Sequence, residues 1–267
     1  MQISSILVSL QRVLDNGASV QICEGALISN QQFLTAAHCF DGNLPLAEMV
    51  VRIGSDFQNE GGQLYGLSYV DINPSYVHDR NASMLRDDIA VVTLLSPLEV
   101  PVPWLQLARP GAIPEEASAI DIFGWDLESE KAPPTFGRSR SRSQILKTVM
   151  RDPKTCKVLG RAFGASPQAC SSGTRSLGQA HWTGGPAVQY DITNSQPRIV
   201  GVVSYWSSFE EESFVFTTSV SMYTDWIVEI RNARYSRPDP ASPNGKTKFC
   251  TKVVGFDWLD FPVTEPC

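Results

Sequence analysis

Three features that would point to particular functions are missing from this sequence. No apolar run approaches the roughly 18 residues that a membrane-spanning helix needs, so we expect no membrane span. The net charge is -6, which gives no reason to expect nucleic-acid binding. The one basic run, GRSRSRSQ at 137–144, is interpreted as a solvated loop, with a protease-cleavable loop as the alternative. Long helical periodicity is scarce as well, which leaves few helices to expect.

What the chain has instead is a series of short apolar segments rich in Val, Ile and Thr, separated by turns. Its 267 residues, 42% of them hydrophobic, are enough to bury one large core or two modest ones. The 19 Gly and 18 Pro residues supply the turns. The regular spacing of the segments predicts an all-β fold of one or two barrels or a sandwich.

The turn-rich segments also predict how the chain is divided. Residues 97–116 are Pro-rich and unsuited to a central strand, so they are expected to bridge two β units, at about 1–105 and about 117–221. Residues 222–235 carry apolar side chains at helical spacing and predict a terminal helix. A linker follows, so we expect one domain at 1–235 and an extension at 236–267.

The cysteines indicate an oxidising compartment. An even number, six, falls into three closely spaced pairs, which favours disulfides: Cys23 and Cys39, Cys156 and Cys170, Cys250 and Cys267. Metal sites use tighter clusters, so no metal is expected. Asn81 begins an N-glycosylation sequon. Although the first residues do not form a signal peptide, we expect a secreted, extracellular glycoprotein.

Several motifs resemble the chymotrypsin-like serine protease family and occur in the family's order. They are LTAAHCF around His38, DDIAVVTLL around Asp88, FGW at 123–125, TGGPA at 183–187, GVVSYW at 201–206 and TDWI at 224–227. The resemblance covers about residues 6–230. It implies two six-stranded antiparallel β-barrels with the active site in the cleft between them, and a C-terminal helix.

The resemblance also assigns the catalytic positions. The family's chemistry needs a hydroxyl that attacks, an imidazole that takes its proton and a carboxylate that orients the imidazole. His38 matches the base, Asp88 the orienting carboxylate and Thr183 the nucleophile. Asp87 would replace Asp88 only if the register slipped by one. Ser204 matches the family serine that lies near the triad aspartate.

The loop around Thr183 departs from the family at three consecutive positions. Thr183 replaces serine and adds a β-methyl that restricts its χ1 angle. His181 replaces the glycine whose amide helps to form the oxyanion hole, so we expect a damaged hole. Trp182 replaces the aspartate that pairs with a newly cleaved N-terminal ammonium. Because fewer residues precede VSLQ at 8–11 than in the family, that ammonium is not expected either.

The substrate-pocket positions depart as well. Leu177 stands at the pocket floor, so a Lys or Arg side chain of a substrate would find no counter-ion there. Gln179 replaces a family cysteine, which removes one disulfide beside the pocket. Ser204, Tyr205 and Trp206 stand on the substrate-binding strand. Trp206 replaces a glycine, and we expect its indole to fill the pocket mouth.

These departures favour a noncatalytic serine protease homologue that acts by binding a protein partner. A weakly active serine-type endopeptidase with Thr183 as nucleophile is the alternative, and a structural or carrier domain is a third hypothesis. Inactive relatives imply two kinds of partner, a host hydrolase such as a glucanase or an active protease that needs a cofactor protein. No cofactor is expected. The C-terminal extension is a candidate binding surface or a strap over the barrel.

Overall fold

A computed structural model describes residues 5–42, 45–79, 84–99, 102–125, 142–159, 168–173, 182–190, 196–209, 212–235, 251–256 and 262–266. The chain divides into two compact units, Met1–Thr224 and Asp225–Cys267. The first strands along the chain are β1 (Leu7–Val13), β2 (Ser19–Leu27), β3 (Gln32–Thr35), β4 (Met49–Ile53), β5 (Gln63–Ile72), β6 (Val77–Asp79), β7 (Met84–Arg86) and β8 (Ala90–Leu94). They are followed by β9 (Gln106–Leu107), β10 (Ala119–Trp125), β11 (Ser143–Met150), β12 (Gln168–Gly173), β13 (Pro186–Tyr190), β14 (Pro197–Phe209), β15 (Glu212–Ser219), β16 (Thr251–Phe256) and β17 (Pro262–Pro266).

Six strands of the N-terminal half close into a barrel in the order β1, β2, β3, β8, β5, β4. Every pair is antiparallel, and β4 returns to β1 to complete the ring. In β4 the side chains alternate between buried and half-buried, as expected where one strand face lines a barrel core. Strand β8 is buried along its whole length, so both of its faces are covered.

A second barrel follows, in the order β13, β10, β11, β12, β15, β14, and the pairing of β13 with β14 closes it. These pairs are also antiparallel. The short strand β9 adds in parallel to β14. It lies within residues 97–116, the Pro-rich segment for which the role of a bridge stays a prediction. The prediction of two six-stranded antiparallel barrels is therefore confirmed.

Two disulfide bonds cross-link the first unit. Cys23 bonds to Cys39 and Cys156 bonds to Cys170, while Cys250 and Cys267 lie outside the described residues. Cys156 sits in the helix α1 (Pro153–Leu159), and Cys170 sits in β12. The helix begins after Asp152, whose carboxylate accepts hydrogen bonds from the backbone N–H groups of Lys154 and Thr155.

The second unit contains most of helix α2 (Thr224–Tyr235) and the hairpin of β16 and β17. The helix predicted at 222–235 is present, but Val220–Met222 form a 3-10 turn and the α-helix begins at Thr224. The predicted domain boundary after residue 235 stays a prediction. In the described part of the chain, no helix combines the length and the apolar character that crossing a membrane would require.

One short turn, residues 182–185, is bonded to both barrels, and we call it the Thr183 loop. The carbonyl oxygen of Thr183 accepts a hydrogen bond from Glu24 N–H at 2.8 Å, and Gly184 N–H donates to the carbonyl oxygen of Val203 at 2.7 Å. Gly184 has a φ of 86°. A Cβ atom there would lie 2.2 Å from the Glu24 carbonyl oxygen and 2.4 Å from Thr35 Oγ1. Only glycine therefore fits this junction.

The variant Gly184→Ala should be far less stable than Gly17→Ala. Both glycines have positive φ, and alanine there costs about 1–2 kcal/mol. At Gly17 a Cβ would have no atom within 4 Å, whereas at Gly184 the backbone itself blocks the methyl. We expect Gly184→Ala to lose about 2 kcal/mol more in free energy of unfolding, measured in urea. An equal loss of unfolding free energy in the two variants would show that the backbone at Gly184 shifts to admit the methyl group at little cost.

Candidate active site

The two strands β3 and β8 bring His38 and Asp88 together. Thr35, at the end of β3, pairs with Ala90 of β8. His38 lies in the 3-10 turn after β3, and Asp88 lies just before β8. The backbone N–H of His38 donates to Asp88 Oδ1 at 2.9 Å, and His38 Nδ1 is 2.7 Å from Asp88 Oδ2. The carboxylate thus holds both the backbone and the ring of the histidine.

The second barrel holds the other side of Asp88. The hydroxyl group of Ser204, in β14, donates a hydrogen bond to Asp88 Oδ2 at 2.5 Å. The hydroxyl group of Thr218, in β15, donates one to the carbonyl oxygen of Asp88 at 3.0 Å. Asp88 has no exposed surface. The carboxylate therefore lies between the barrels, where water cannot compete for its hydrogen bonds. Asp88 rather than Asp87 makes these contacts, since Asp87 accepts its hydrogen bond from Tyr223.

The protonation of His38 follows from this arrangement. Burial acts against the charged imidazolium and would lower the pKa of His38. The hydrogen bond to Asp88 and the negative charges of Asp88 and Asp41 act in the opposite direction and prevail, so the pKa of His38 is raised above its ordinary value. Because Nδ1 faces a carboxylate, Nδ1 carries the ring proton and Nε2 is left to accept one. His38 is therefore oriented as a general base.

Thr183 does not complete this arrangement. Its hydroxyl oxygen lies 3.8 Å from Cys23 Sγ, which is one sulfur of a disulfide and can act only as a weak acceptor. Within the described ranges, no hydrogen bond joins Thr183 to His38. The base and the orienting carboxylate are in place, but the hydroxyl is not bonded to the base that would activate it.

Trp182, the first residue of the Thr183 loop, packs its side chain against β10. Its side chain is buried, and its indole Nε1–H donates to the carbonyl oxygen of Trp125 at 2.9 Å. The indole lies against the backbone of Gly124, where a Cβ would come within 2.6 Å of Trp182 Cγ. The loop is therefore held by packing and one neutral hydrogen bond at a position where the resemblance implies an ionised aspartate.

The substrate-pocket residues are only partly described. Ser204 bonds to Asp88 as above. Tyr205 is buried and stacks on Phe216, with ring centroids 4.5 Å apart and planes at 10°. Trp206, the next residue in β14, is 37% exposed. The expected closure of the pocket mouth by Trp206 stays a prediction, because the pocket residues Leu177 and Gln179 lie outside the described ranges. His181 and the sequon residue Asn81 lie outside them as well.

Comparison with known proteins agrees with this geometry. The family model described as Trypsin matches residues 5–227. The chain belongs to the trypsin family. Chymotrypsin-C of Mus musculus is 27% identical over 234 residues, covering 83% of this chain and 82% of that protein. Chymotrypsin-C of Bos taurus is likewise 27% identical, covering 82% and 81%. Phenoloxidase-activating factor 3 of Holotrichia diomphalia is 26% identical, covering 82% of this chain and 66% of that protein.

Glu24 is a functional candidate that sequence reasoning missed in this trypsin-family site. It follows Cys23 in β2 and has no exposed surface. Its Oε1 accepts hydrogen bonds from Trp125 N–H at 2.8 Å and from Gln21 Nε2 at 3.4 Å, while its buried Oε2 has no hydrogen-bond donor among the described residues. Burial raises the pKa of Glu24 well above its ordinary value, against a smaller lowering by those bonds. The sequence does place an acidic residue within the otherwise apolar strand segment CEGALIS, and this could have indicated a buried carboxyl group.

One group of side chains resembles a metal site in its spacing. The ligand atoms of Cys23, His38 and Cys39 lie within 4.8 Å of one another. The two sulfurs are bonded to each other, so neither is available as a thiolate. His38 is then the single ligand that this group offers, and we assign no metal to it.

Replacing Asp88 should change the titration of His38. In Asp88→Asn the charge that raises the pKa of His38 is lost while burial remains, so the pKa should fall. Imidazole NMR signals report this directly, since the chain has only 3 histidines. Asp87→Asn is the matched control, because Asp87 bonds to Tyr223, and it should leave the pKa of His38 unchanged. An unchanged pKa in Asp88→Asn would contradict the assigned role of this carboxylate.

Proposed function

We propose that this trypsin-family protein is noncatalytic and acts by binding a protein partner. The observation that carries the proposal is the position of the Thr183 hydroxyl, which lies towards the Cys23 sulfur and is not hydrogen-bonded to His38. A serine-type hydrolase needs its hydroxyl bonded to the histidine that removes the proton. An oriented base without a hydrogen bond to the hydroxyl supports a site that does not begin peptide hydrolysis.

The Thr183 loop supports the same proposal. In the resemblance drawn above, an aspartate at position 182 orders the oxyanion hole through an ion pair. Trp182 is apolar and buried, and its one polar atom donates to a backbone carbonyl, so it cannot form such a pair. At position 181, histidine replaces the glycine of the hole. The loss of one oxyanion donor lowers the rate on the order of 10²–10³-fold.

The disulfide bonds and the name of one relative support a secreted binding role. Two disulfides are formed in the described residues, and such bonds persist mainly in oxidising compartments. One relative carries the name phenoloxidase-activating factor, which describes an effect on another protein. The proposed partner is therefore an extracellular protein, either a hydrolase such as a glucanase or an active protease. Residues 236–267 remain the candidate binding segment proposed from the sequence.

A weakly active endopeptidase is the second candidate. The observation in its favour is that Asp88 holds His38 in the hydrogen bond that the catalytic relay requires, while Ser204 donates to the same carboxylate. In this alternative, rotation of Thr183 about χ1 would bring its hydroxyl towards His38, as a threonine nucleophile paired with a base. The two candidates differ in whether Thr183 reacts.

Labelling with a fluorophosphonate separates the two candidates. We expect no modification of Thr183 in the wild-type protein, and the same absence in the His38→Ala and Thr183→Ala controls. Thr183→Ser removes the β-methyl but leaves Trp182 and His181, so its kcat/KM on peptides should stay at least on the order of a thousandfold below that of a trypsin assayed in parallel. Stoichiometric labelling of Thr183 that requires His38 would overturn the noncatalytic proposal.

Partner capture tests the binding half of the proposal. The wild-type protein and the double variant His38→Ala with Thr183→Ala should retain the same extracellular protein with the same affinity, because binding uses the surface rather than the hydroxyl. A shortened chain ending at residue 235 tests whether the extension takes part. If the captured protein is cleaved by the wild type and left intact by the double variant, the partner is a substrate and the proposal is wrong.

A further inference from the structure

Glu24 ends a chain of hydrogen-bonded polar side chains in the first barrel, in which Ser9 and Glu24 are buried and Gln21 is half-buried. Ser9 Oγ donates to Gln21 Oε1 at 2.7 Å, and Gln21 Nε2 donates to Glu24 Oε1 at 3.4 Å. Trp125 N–H donates to the same Glu24 oxygen at 2.8 Å. Trp182 in turn donates to the carbonyl oxygen of Trp125. The carboxyl group of Glu24 thus links β2, β10 and the Thr183 loop.

The second oxygen of Glu24 lies in a space enclosed by backbone atoms. A Cβ atom at Gly185 would lie 2.8 Å from Glu24 Oε2, 2.8 Å from the carbonyl oxygen of Phe123 and 3.0 Å from that of Trp182. A Cβ at Gly124 would lie 2.5 Å from the same Oε2. Glu24 Oε2 and the carbonyl oxygens of Phe123 and Trp182 therefore border the same methyl-sized space at Gly185, and the Trp182 oxygen accepts a hydrogen bond from Gly185 N–H. No hydrogen-bond donor in the described residues reaches it.

No charge offsets the carboxyl group within the described residues that contact it. On its own strand β2 the contact is the neutral amide of Gln21. From β10 it is the backbone of Gly124 and Trp125, and from the Thr183 loop it is the indole of Trp182 and the backbone of Gly185. Thr35 of β3 bonds to the Glu24 carbonyl oxygen rather than to its side chain. An ionised carboxylate here would be buried with no cation beside it.

We propose that Glu24 is a positioning residue that fixes the Thr183 loop as a neutral carboxylic acid, with its proton on Oε2 facing the carbonyl oxygens of Phe123 and Trp182. In this form Oε1 accepts the bonds from Trp125 and Gln21, and Oε2 carries a proton instead of a charge where no donor among the described residues reaches it. On ionisation Oε2 would face the same two oxygens as a negative charge, and the loop would be pushed from β10. The proposal is independent of whether Thr183 reacts, because it concerns what holds the loop.

The protonation state sets the sign of the pH dependence. Because burial raises the pKa of Glu24 above its value in the unfolded chain, the native state holds this proton more tightly than the unfolded state. The contribution of protonated Glu24 to the stability of the native state is fully present below the ordinary pKa of glutamate, about 4.3. This contribution is lost as the pH rises through the raised pKa of Glu24 in the native state. For this one group, the folding equilibrium constant changes by up to about tenfold per pH unit in that window.

The test compares the full-length wild-type protein with Glu24→Gln across pH. Glutamine reproduces the neutral acid, with its oxygen at Oε1 and its N–H₂ at Oε2. We expect equal unfolding constants within about threefold at pH 4, and a wild-type protein that becomes at least about tenfold less stable than Glu24→Gln by pH 7. Asp121→Asn is the matched control, because Asp121 is an acid in the neighbouring strand pair that bonds to Lys147. Between pH 4 and pH 7, Asp121→Asn should not become more stable relative to the wild-type protein.

A second readout reports on the loop itself. The Trp182 indole N–H signal, assigned by comparison with Trp182→Phe, should lose hydrogen-exchange protection in the wild type relative to Glu24→Gln as pH rises. Glu24→Leu, which keeps the volume but not the acceptor, should reduce that protection at every pH. The proposal is overturned if the two unfolding constants keep a pH-independent ratio, if Glu24→Gln is the less stable protein at pH 7, or if it does not fold at pH 4.

Discussion

The hydrogen bonds of the Thr183 loop are the constraint on which the site depends. One peptide unit joins the two barrels, since the Thr183 carbonyl oxygen bonds to β2 and the Gly184 N–H bonds to β14. The approach is so close that no side chain fits at Gly184. This contact fixes β14 against the first barrel, and β14 carries Ser204 to the buried carboxylate of Asp88. The Thr183 loop and Ser204 thus bring the second barrel to the pair of His38 and Asp88.

The loop is held by Trp182, at the position where the resemblance implies an aspartate, and by the buried carboxyl group of Glu24. Trp182 contributes a buried indole, and Glu24 contributes a carboxyl group with no cation beside it in the described structure. Both bond to the backbone of Trp125. Such contacts need no cleavage of the chain to form, because each partner is already within the folded barrels. The hydrogen bonds of Trp182 and Glu24 thus fix the Thr183 loop to the backbone of β10.

The fold could be predicted from the sequence because it follows from several motifs in a fixed order. His38 and Asp88 were identified in the same way, and the pairing of β3 with β8 explains why residues far apart in sequence meet. The β-methyl of Thr183 indicated from the sequence that its hydroxyl could turn from His38, but not that it would turn towards Cys23, since a side-chain rotamer depends on packing. Glu24 was missed because its significance lies in its surroundings: a glutamate in sequence carries no sign that both β10 and the Thr183 loop will bury it.

The most direct measurement of the central claim is the cleavage of a diverse peptide library, read by mass spectrometry, with the wild-type protein and His38→Ala side by side. If the site is a protease frame without its nucleophile, the two proteins give the same products as buffer alone. Peptides that the wild type cuts at defined bonds, and that His38→Ala leaves whole, would contradict the account.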